Sequence, residues 1–208
     1  PIDYKIMEKD QEVTVGNIKV KVFGVTHSIP DCMGIMVRTP YGNIVNPGDY
    51  KLDHIDGVPE SYEEEIYSKV ASEKTLLLMT DSTNIENLGF STPEKVVHKN
   101  LEEIIKNIKG RLIIGTFASQ LERMIKIIEM CERHNKKIVL EGRSIKNNIE
   151  IAKLSSLLKP REGTIIQSTE IDNYPPNKIV IIATGAQGEE FAALTRIATG
   201  KDKNIKFN

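Results

Sequence analysis

Tryptophan is absent from the 208 residues, and aromatic residues together make up only 5%. So few rings are poor material for a platform on which single-stranded nucleic acid stacks. Cysteine occurs twice, at Cys32 and Cys131, too far apart for a C-x-x-C pair. That usage excludes a disulfide framework and reads as reduced thiols, so a cytoplasmic protein is expected. No apolar run approaches the roughly 18 residues of a membrane span, and no membrane partner is expected. The opening decapeptide carries Asp3, Lys5, Glu8, Lys9 and Asp10, unlike a signal peptide. An excess of one charge is also missing, since 28 Lys and Arg face 29 Asp and Glu, a formal net charge of -1. Gripping nucleic acid by bulk basicity is thereby excluded; such a partner would need a local groove or a metal site. Low-complexity segments and internal repeats are lacking as well.

What remains is an ordinary globular balance of 39% hydrophobic and 27% charged residues. A chain of this length can bury roughly 70% of its unfolded surface, enough for a true core. Its beginning at Pro1 and its end at Lys206-Phe207-Asn208 both read as cut from something longer, so a fragment is expected.

The first third alternates as β structure. Residues 12–15 and 18–25 flank Gly16-Asn17, and residues 33–39 and 43–46 flank Tyr41-Gly42, two hairpin signals. Residues 63–72 read as a helix, and 75–79 as an apolar strand. Ser91-Thr92-Pro93-Glu94 combines a cap, an early proline and a first-turn acid, so a helix should start there and stop at Gly110. Helices are further predicted over 119–135, 144–154 and 189–199, with strands at 112–115, 138–140 and 178–183. Short strands alternating with helices of ten to eighteen residues imply a parallel, helix-covered sheet. The fold class is therefore α/β, with a β-rich first part and a boundary near residue 90.

In open α/β sheets, ligands bind beyond the carboxyl ends of the strands. Polar residues gather there: Asp81-Ser82-Thr83, Thr116 to Gln120, Glu141 to Ser144 and Thr184 to Glu189. Small-residue loops that open helices suit phosphate, though most such loops are turn and cap chemistry. His27 follows a strand in a polar loop, and Asp49 follows another in Asn46-Pro47-Gly48-Asp49. Imidazole and carboxylate together suit zinc or manganese, yet a single His and Asp are half a site. A hydrogen-bonded loop histidine is the plain alternative. Asp81-Ser82-Thr83-Asn84 taken alone is a strand-to-loop turn. Arg143 could pair with a surface acid. His54, His98 and His134 receive no role, the last two being expected on solvated helix faces. Cys131 is read as core.

In register, Thr26-His27-Ser28-Ile29-Pro30-Asp31, Pro47-Gly48-Asp49-Tyr50-Lys51-Leu52-Asp53, Asp81-Ser82-Thr83-Asn84, Thr116-Phe117-Ala118-Ser119, Glu141-Gly142-Arg143-Ser144 and Thr184-Gly185-Ala186-Gln187-Gly188-Glu189 resemble ribonuclease J. The resemblance runs from about residue 20 to 208 and implies part of a metallo-β-lactamase αββα domain over 1–90. A parallel α/β sheet, the β-CASP domain, would follow over 91–208. It implies an RNA-degrading enzyme, both endonuclease and 5′-to-3′ exonuclease, acting on single-stranded RNA in rRNA processing and mRNA decay. It implies two divalent metal ions, zinc or else manganese, with His27 and Asp49 among the ligands and Asp49 bridging them. Asp81 matches an acid that orients a later histidine, a catalytic role. Ala118, Ser119 and Gln120 match a loop that binds the RNA backbone. A homodimer or higher homo-oligomer is implied for the full-length protein.

The departures matter as much. The family's H-x-H-x-D-H motif and its late histidines are absent from these residues, so the piece alone is expected neither to hold two metals nor to cut RNA. Gln120 stands where Asn is expected and Pro47 where Thr is expected; Pro47 removes an N–H and a hydroxyl beside Asp49. Two other readings fit parts of the chain. One is a non-catalytic homologue that binds RNA or scaffolds, against which the retention of His27, Asp49 and Asp81 counts. The other is a phosphate- or nucleotide-binding α/β domain, which leaves the His27 loop unexplained.

Overall fold

The computed structural model describes residue 2 and residues 4–206. The chain divides into two compact units, Pro1–Glu94 and Lys95–Asn208.

The first unit is built on one five-stranded sheet. Strands β1 (Glu12–Val15), β2 (Ile18–Gly24), β3 (Met33–Thr39) and β4 (Gly42–Asn46) form an antiparallel meander. A short hairpin, β5 (His54–Ile55) with β6 (Val58–Pro59), precedes helix α1 (Ser61–Ala71). Strand β7 (Thr75–Leu78) then returns to lie parallel beside β4. Because side chains alternate across a strand, the two faces of this sheet differ. On one face Phe23, Val25, Met36 and Val45 pack against Ile66, Tyr67 and Val70 of α1. On the same face a polar cluster closes the far end. Arg38 donates to both Glu12 and Glu73, and Lys21 Nζ stands 3.1 Å from Glu73 Oε1. Register places Val13, Val20, Val37, Ile44 and Leu77 side by side on the other face. Leu76, Leu77 and Leu78 of β7 are all exposed.

The second unit is the expected parallel α/β arrangement. Helix α2 (Glu94–Asn107) leads to β8 (Leu112–Gly115), α3 (Leu121–Arg133), β9 (Lys137–Glu141), α4 (Arg143–Leu154) and β10 (Ile165–Ile166). Short 3-10 turns over 168–173 and 176–178 precede β11 (Ile179–Ala183) and α5 (Ala193–Ala198). All four strands run parallel, in the order β10-β9-β11-β8. Strand β11 is buried throughout, as a strand covered on both faces must be. Ile138, Leu140, Val180 and Ile182 face a layer formed by Ile105 of α2 and the apolar stripes of α3 and α4. Val139, Ile179, Ile181 and Ala183 face Ile171, Ala193, Ile197 and Ile205.

Local boundaries differ from expectation where tertiary contacts decide them. The last helix starts at Ala193, not Glu189. Thr184 captures its first turn, its carbonyl accepting from Leu194 N at 2.9 Å and its hydroxyl from Ala193 N at 3.3 Å. Gly185 and Gly188, at φ 119° and 78°, carry the intervening loop. His98 and His134 are half-buried rather than solvated, and His134 Nε2 lies 3.2 Å from Glu102 Oε1.

Cys131 is fully buried in α3, and burial pushes its thiol up to about 12. Cys32 is half-buried in the other unit. In the folded chain, Ellman's reagent should therefore titrate Cys32 alone, with Cys131 reacting only after denaturant is added. Two fast thiols in native buffer would mean that the α3 core is open.

Candidate functional site

Strand direction puts the loops that carry the three expected chemical groups at one edge of the first sheet. In the first sheet β2 and β4 are each antiparallel to β3, and β7 is parallel to β4. The three strands β2, β4 and β7 therefore point the same way, and the loops that follow them leave the sheet at one edge. Those loops carry His27, Asp49 and Asp81. Two backbone ties fix them. Lys51 N donates to Thr26 O at 2.8 Å, locking the His27 loop to the Asp49 loop. Met79 N donates to Val45 O at 2.9 Å, holding the start of the Asp81 loop beside β4.

Each loop is also shaped from within. Asn46 Oδ1 accepts from Gly48 N at 2.8 Å, an Asx turn that presents Asp49 to solvent. Pro47 is buried, and its Cα would stand 2.8 Å from a Cβ on Gly34, so only glycine lets β3 pass beneath this turn. His27 is half-buried, with Ser28 Oγ 3.2 Å from its Nδ1. Asp81 Oδ1 accepts twice from Thr83, from the hydroxyl at 2.6 Å and from the amide at 2.8 Å. These bonds hold the Asp81 carboxyl below its ordinary range, helped by the Ser82 amide and by His27.

Lys51 and His54, which sequence patterns left without a role, brace this edge. Lys51 Nζ is 3.0 Å from Glu94 Oε1 and 3.5 Å from Asp53 Oδ1. Tyr62 donates to Asp53 Oδ2 at 2.7 Å, and burial together with that carboxylate pushes its phenol upward. His54 is buried. Its Nδ1 accepts from Gly57 N at 3.1 Å, so its Nε2 carries the proton and donates to Ser91 O at 2.8 Å. Each residue joins a near partner, Asp53 or Gly57, to one some forty positions on, Glu94 or Ser91, and no local signal marks the distant half. Thr83 was legible: Asp-x-Thr is a side-chain-to-backbone turn pattern.

Donor chemistry at this edge suits zinc or manganese, but donor number does not. Among the described residues, no group of three or more His, Cys, Asp and Glu side chains is placed to hold a metal ion. His27 and Asp49 do not make a metal centre by themselves.

In the second unit the loops after β8, β9 and β11 also leave one edge. Thr116 N donates to Ala183 O and Thr184 N to Glu141 O, both at 3.0 Å, tying the three loops together. Ala118 O accepts from Asn148 Nδ2 of α4 at 2.7 Å, which fixes the loop of Ala118, Ser119 and Gln120. Ser119 is exposed. Gln120 is the N-cap of α3 and makes no side-chain cap bond, in keeping with the poor capping ability of its longer side chain.

Residues 109–208, nearly all of the parallel α/β unit, match the family described as "Ribonuclease J, beta-CASP domain". The unit thus belongs to the β-CASP class. Ribonuclease J of Mycoplasma genitalium is 40% identical over 190 residues, which are 91% of this chain and 33% of that protein. Ribonuclease J 2 of Staphylococcus aureus is 33% identical over 204 residues, 97% of this chain and 36% of that protein. Residues 109–208 belong to the ribonuclease J β-CASP family, and the chain as a whole spans about a third of the length of the curated ribonuclease J relatives it matches. It also shares its fold with a crystal structure of a protein of unknown function from Enterococcus faecalis V583. The TM-score is 0.63 at 17% identity, covering 86% of this chain and 44% of that one.

Proposed function

We propose that the protein to which these residues belong is a metal-dependent ribonuclease that hydrolyses phosphodiester bonds in single-stranded RNA, by both endonuclease and 5′-to-3′ exonuclease action. The convergence of His27, Asp49 and Asp81 at one sheet edge carries the reading. Relatives bearing the name ribonuclease J support it. In this reading, residues 1–90 are part of a metallo-β-lactamase domain and 91–208 part of the β-CASP domain. His27 and Asp49 are two ligands of a pair of divalent ions, zinc or manganese, and the remaining ligands come from outside these residues. Asp81 is a catalytic carboxylate that fixes a partner imidazole. Ala118, Ser119 and Gln120 hold the RNA backbone. The full-length protein acts in the cytoplasm, in mRNA decay and rRNA processing, as a homodimer or larger homo-oligomer. Among the described residues, no helix is long and apolar enough to cross a membrane.

The test is cleavage of 5′-labelled RNA by the full-length protein supplied with zinc or manganese. Cutting that a chelator abolishes is expected, together with no cutting by the 208 residues alone. A full-length protein that binds RNA and leaves it intact with either metal would be a non-catalytic RNA-binding or scaffolding homologue. Cleavage by the 208-residue chain alone would overturn the ligand assignment.

A further inference from the structure

A cleft of about 330 Å³ opens beside Asp81, lined among others by His54, Asp81, Thr83, Asn84 and Phe90. Its volume falls within the range of small-molecule sites. Phe90 is its unusual wall. One side of the ring is seated firmly: the His54 ring stands 5.0 Å away, tilted by 50°. Gly57, at φ +85°, fits beneath it so closely that a Cβ there would lie 2.8 Å from Phe90 Cε2. Yet the residue is 67% exposed. A ring held this firmly in place, with most of its surface open to a cleft, is organised to receive another flat group.

The charges around it decide what that group is. Lys51 is the only Lys or Arg among the described lining residues, and Glu94 and Asp53 already engage it. Asp81 adds a carboxylate kept ionised by Thr83. A phosphate would meet repulsion and find no uncommitted cation. A neutral heterocycle would meet the Phe90 face on one side, and the polar run Thr80 to Asn84 along its edge.

We propose that this cleft is a nucleobase subsite, in which one base of the RNA stacks on the open face of Phe90 next to Asp81. The proposal rests on the ribonuclease reading for its substrate, and it adds a recognition residue outside the motifs that carry that reading. Stacking of a base on an aromatic ring is worth about 1–3 kcal/mol, which converts to roughly 5- to 150-fold in affinity.

The test uses the full-length protein and three substitutions. Phe90→Ala should raise KM for a short RNA by about 5- to 150-fold with kcat little changed, and Phe90→Trp should restore it. Phe90→Leu fills the notch over Gly57 without a π face, and it should behave like Phe90→Ala. Removing one base at one position of the RNA should erase the difference between Phe90→Ala and the parent. Phe90→Trp is also a direct reporter in a full-length protein from which any Trp outside these residues has been replaced, because these residues contain none of their own. On stopped-flow mixing with a hexaribonucleotide its emission should be quenched, and a fully abasic hexamer should leave it unchanged. Quenching without any cleavage would keep the subsite and sink the ribonuclease reading. Cleavage with no quenching would do the reverse. Parental KM in Phe90→Leu, or equal quenching by the abasic hexamer, would overturn the subsite. In that last case Phe90 would be a seat for another stretch of polypeptide.

Discussion

Replacing Asp81 with asparagine in the full-length protein should lower kcat for RNA cleavage by about 10²- to 10⁴-fold, the span of a lost acid–base group. The shape of the residue is kept and Thr83 can still donate to Oδ1, so the loop should hold its place. What disappears is the negative charge. Thr83 holds that charge below the ordinary carboxylate range, so Asp81 is ionised throughout neutral pH and does not itself produce an acid limb near pH 6 or 7. Any such limb belongs to another group, an imidazole or a metal-bound water. Thr83→Val removes the hydroxyl donor and lets the Asp81 carboxyl rise toward its usual range, with a smaller loss of kcat. Activity of Asp81→Asn within about threefold of the parent would remove Asp81 from the reaction, since acid–base groups contribute far more than that.

Gly142→Ala should unfold the second unit at markedly lower temperature. Gly142 connects β9 to α4 at φ 117° and ψ 132°, a conformation closed to residues with a Cβ. A Cβ there would also sit 2.6 Å from both Oγ1 and Cγ2 of Thr184. Thr184 cannot retreat freely, because its backbone binds Glu141 and Leu194 and its hydroxyl binds Ala193 N. Backbone strain and overpacking each cost about 1–3 kcal/mol, so the sum is about 2–6 kcal/mol. Against a typical total of about 5–15 kcal/mol that is a large fraction. A fall in Tm of roughly 10 °C or more by circular dichroism is the expected result. Gly188→Ala is the control. Gly188 is also at positive φ, +78°, but nothing lies within 4 Å of its Cβ position, so only the strain is incurred. Equal melting of the two variants would show that contact with Thr184 is not the cause.

Elements with a strong local period were legible. The stripes of α2, α3 and α4, and the apolar runs of β8, β9 and β11, follow from spacing alone. The start of α5 was not, because Thr184 sets it from nine residues upstream. Nor was the β5–β6 hairpin, whose strands have two residues each and too little sequence to show alternation. The site was legible as three separate loops after strands. Their convergence was not, because it depends on β7 running beside β4, a pairing made across the whole α1 excursion. The same long range hid the role of His54, which bonds Gly57 three residues on but also Ser91 thirty-seven residues on. Composition argued against aromatic recognition, and that argument concerns averages. A single ring such as Phe90 escapes it.

The strand order of the second sheet sets a schedule for synthesis. Among the described residues strand β8 has one partner, β11, and residues 116–178 must be made before that partner exists. At about 5–20 residues per second, the interval is roughly 3–13 s. Throughout it Leu112, Ile113 and Ile114 have an unpaired edge, while β9 and α3 can already begin to pack. The nascent chain therefore passes through a window of some seconds in which an apolar strand is waiting. A ribosome that pauses before β11 would lengthen that window, and a chaperone would find its binding segment there.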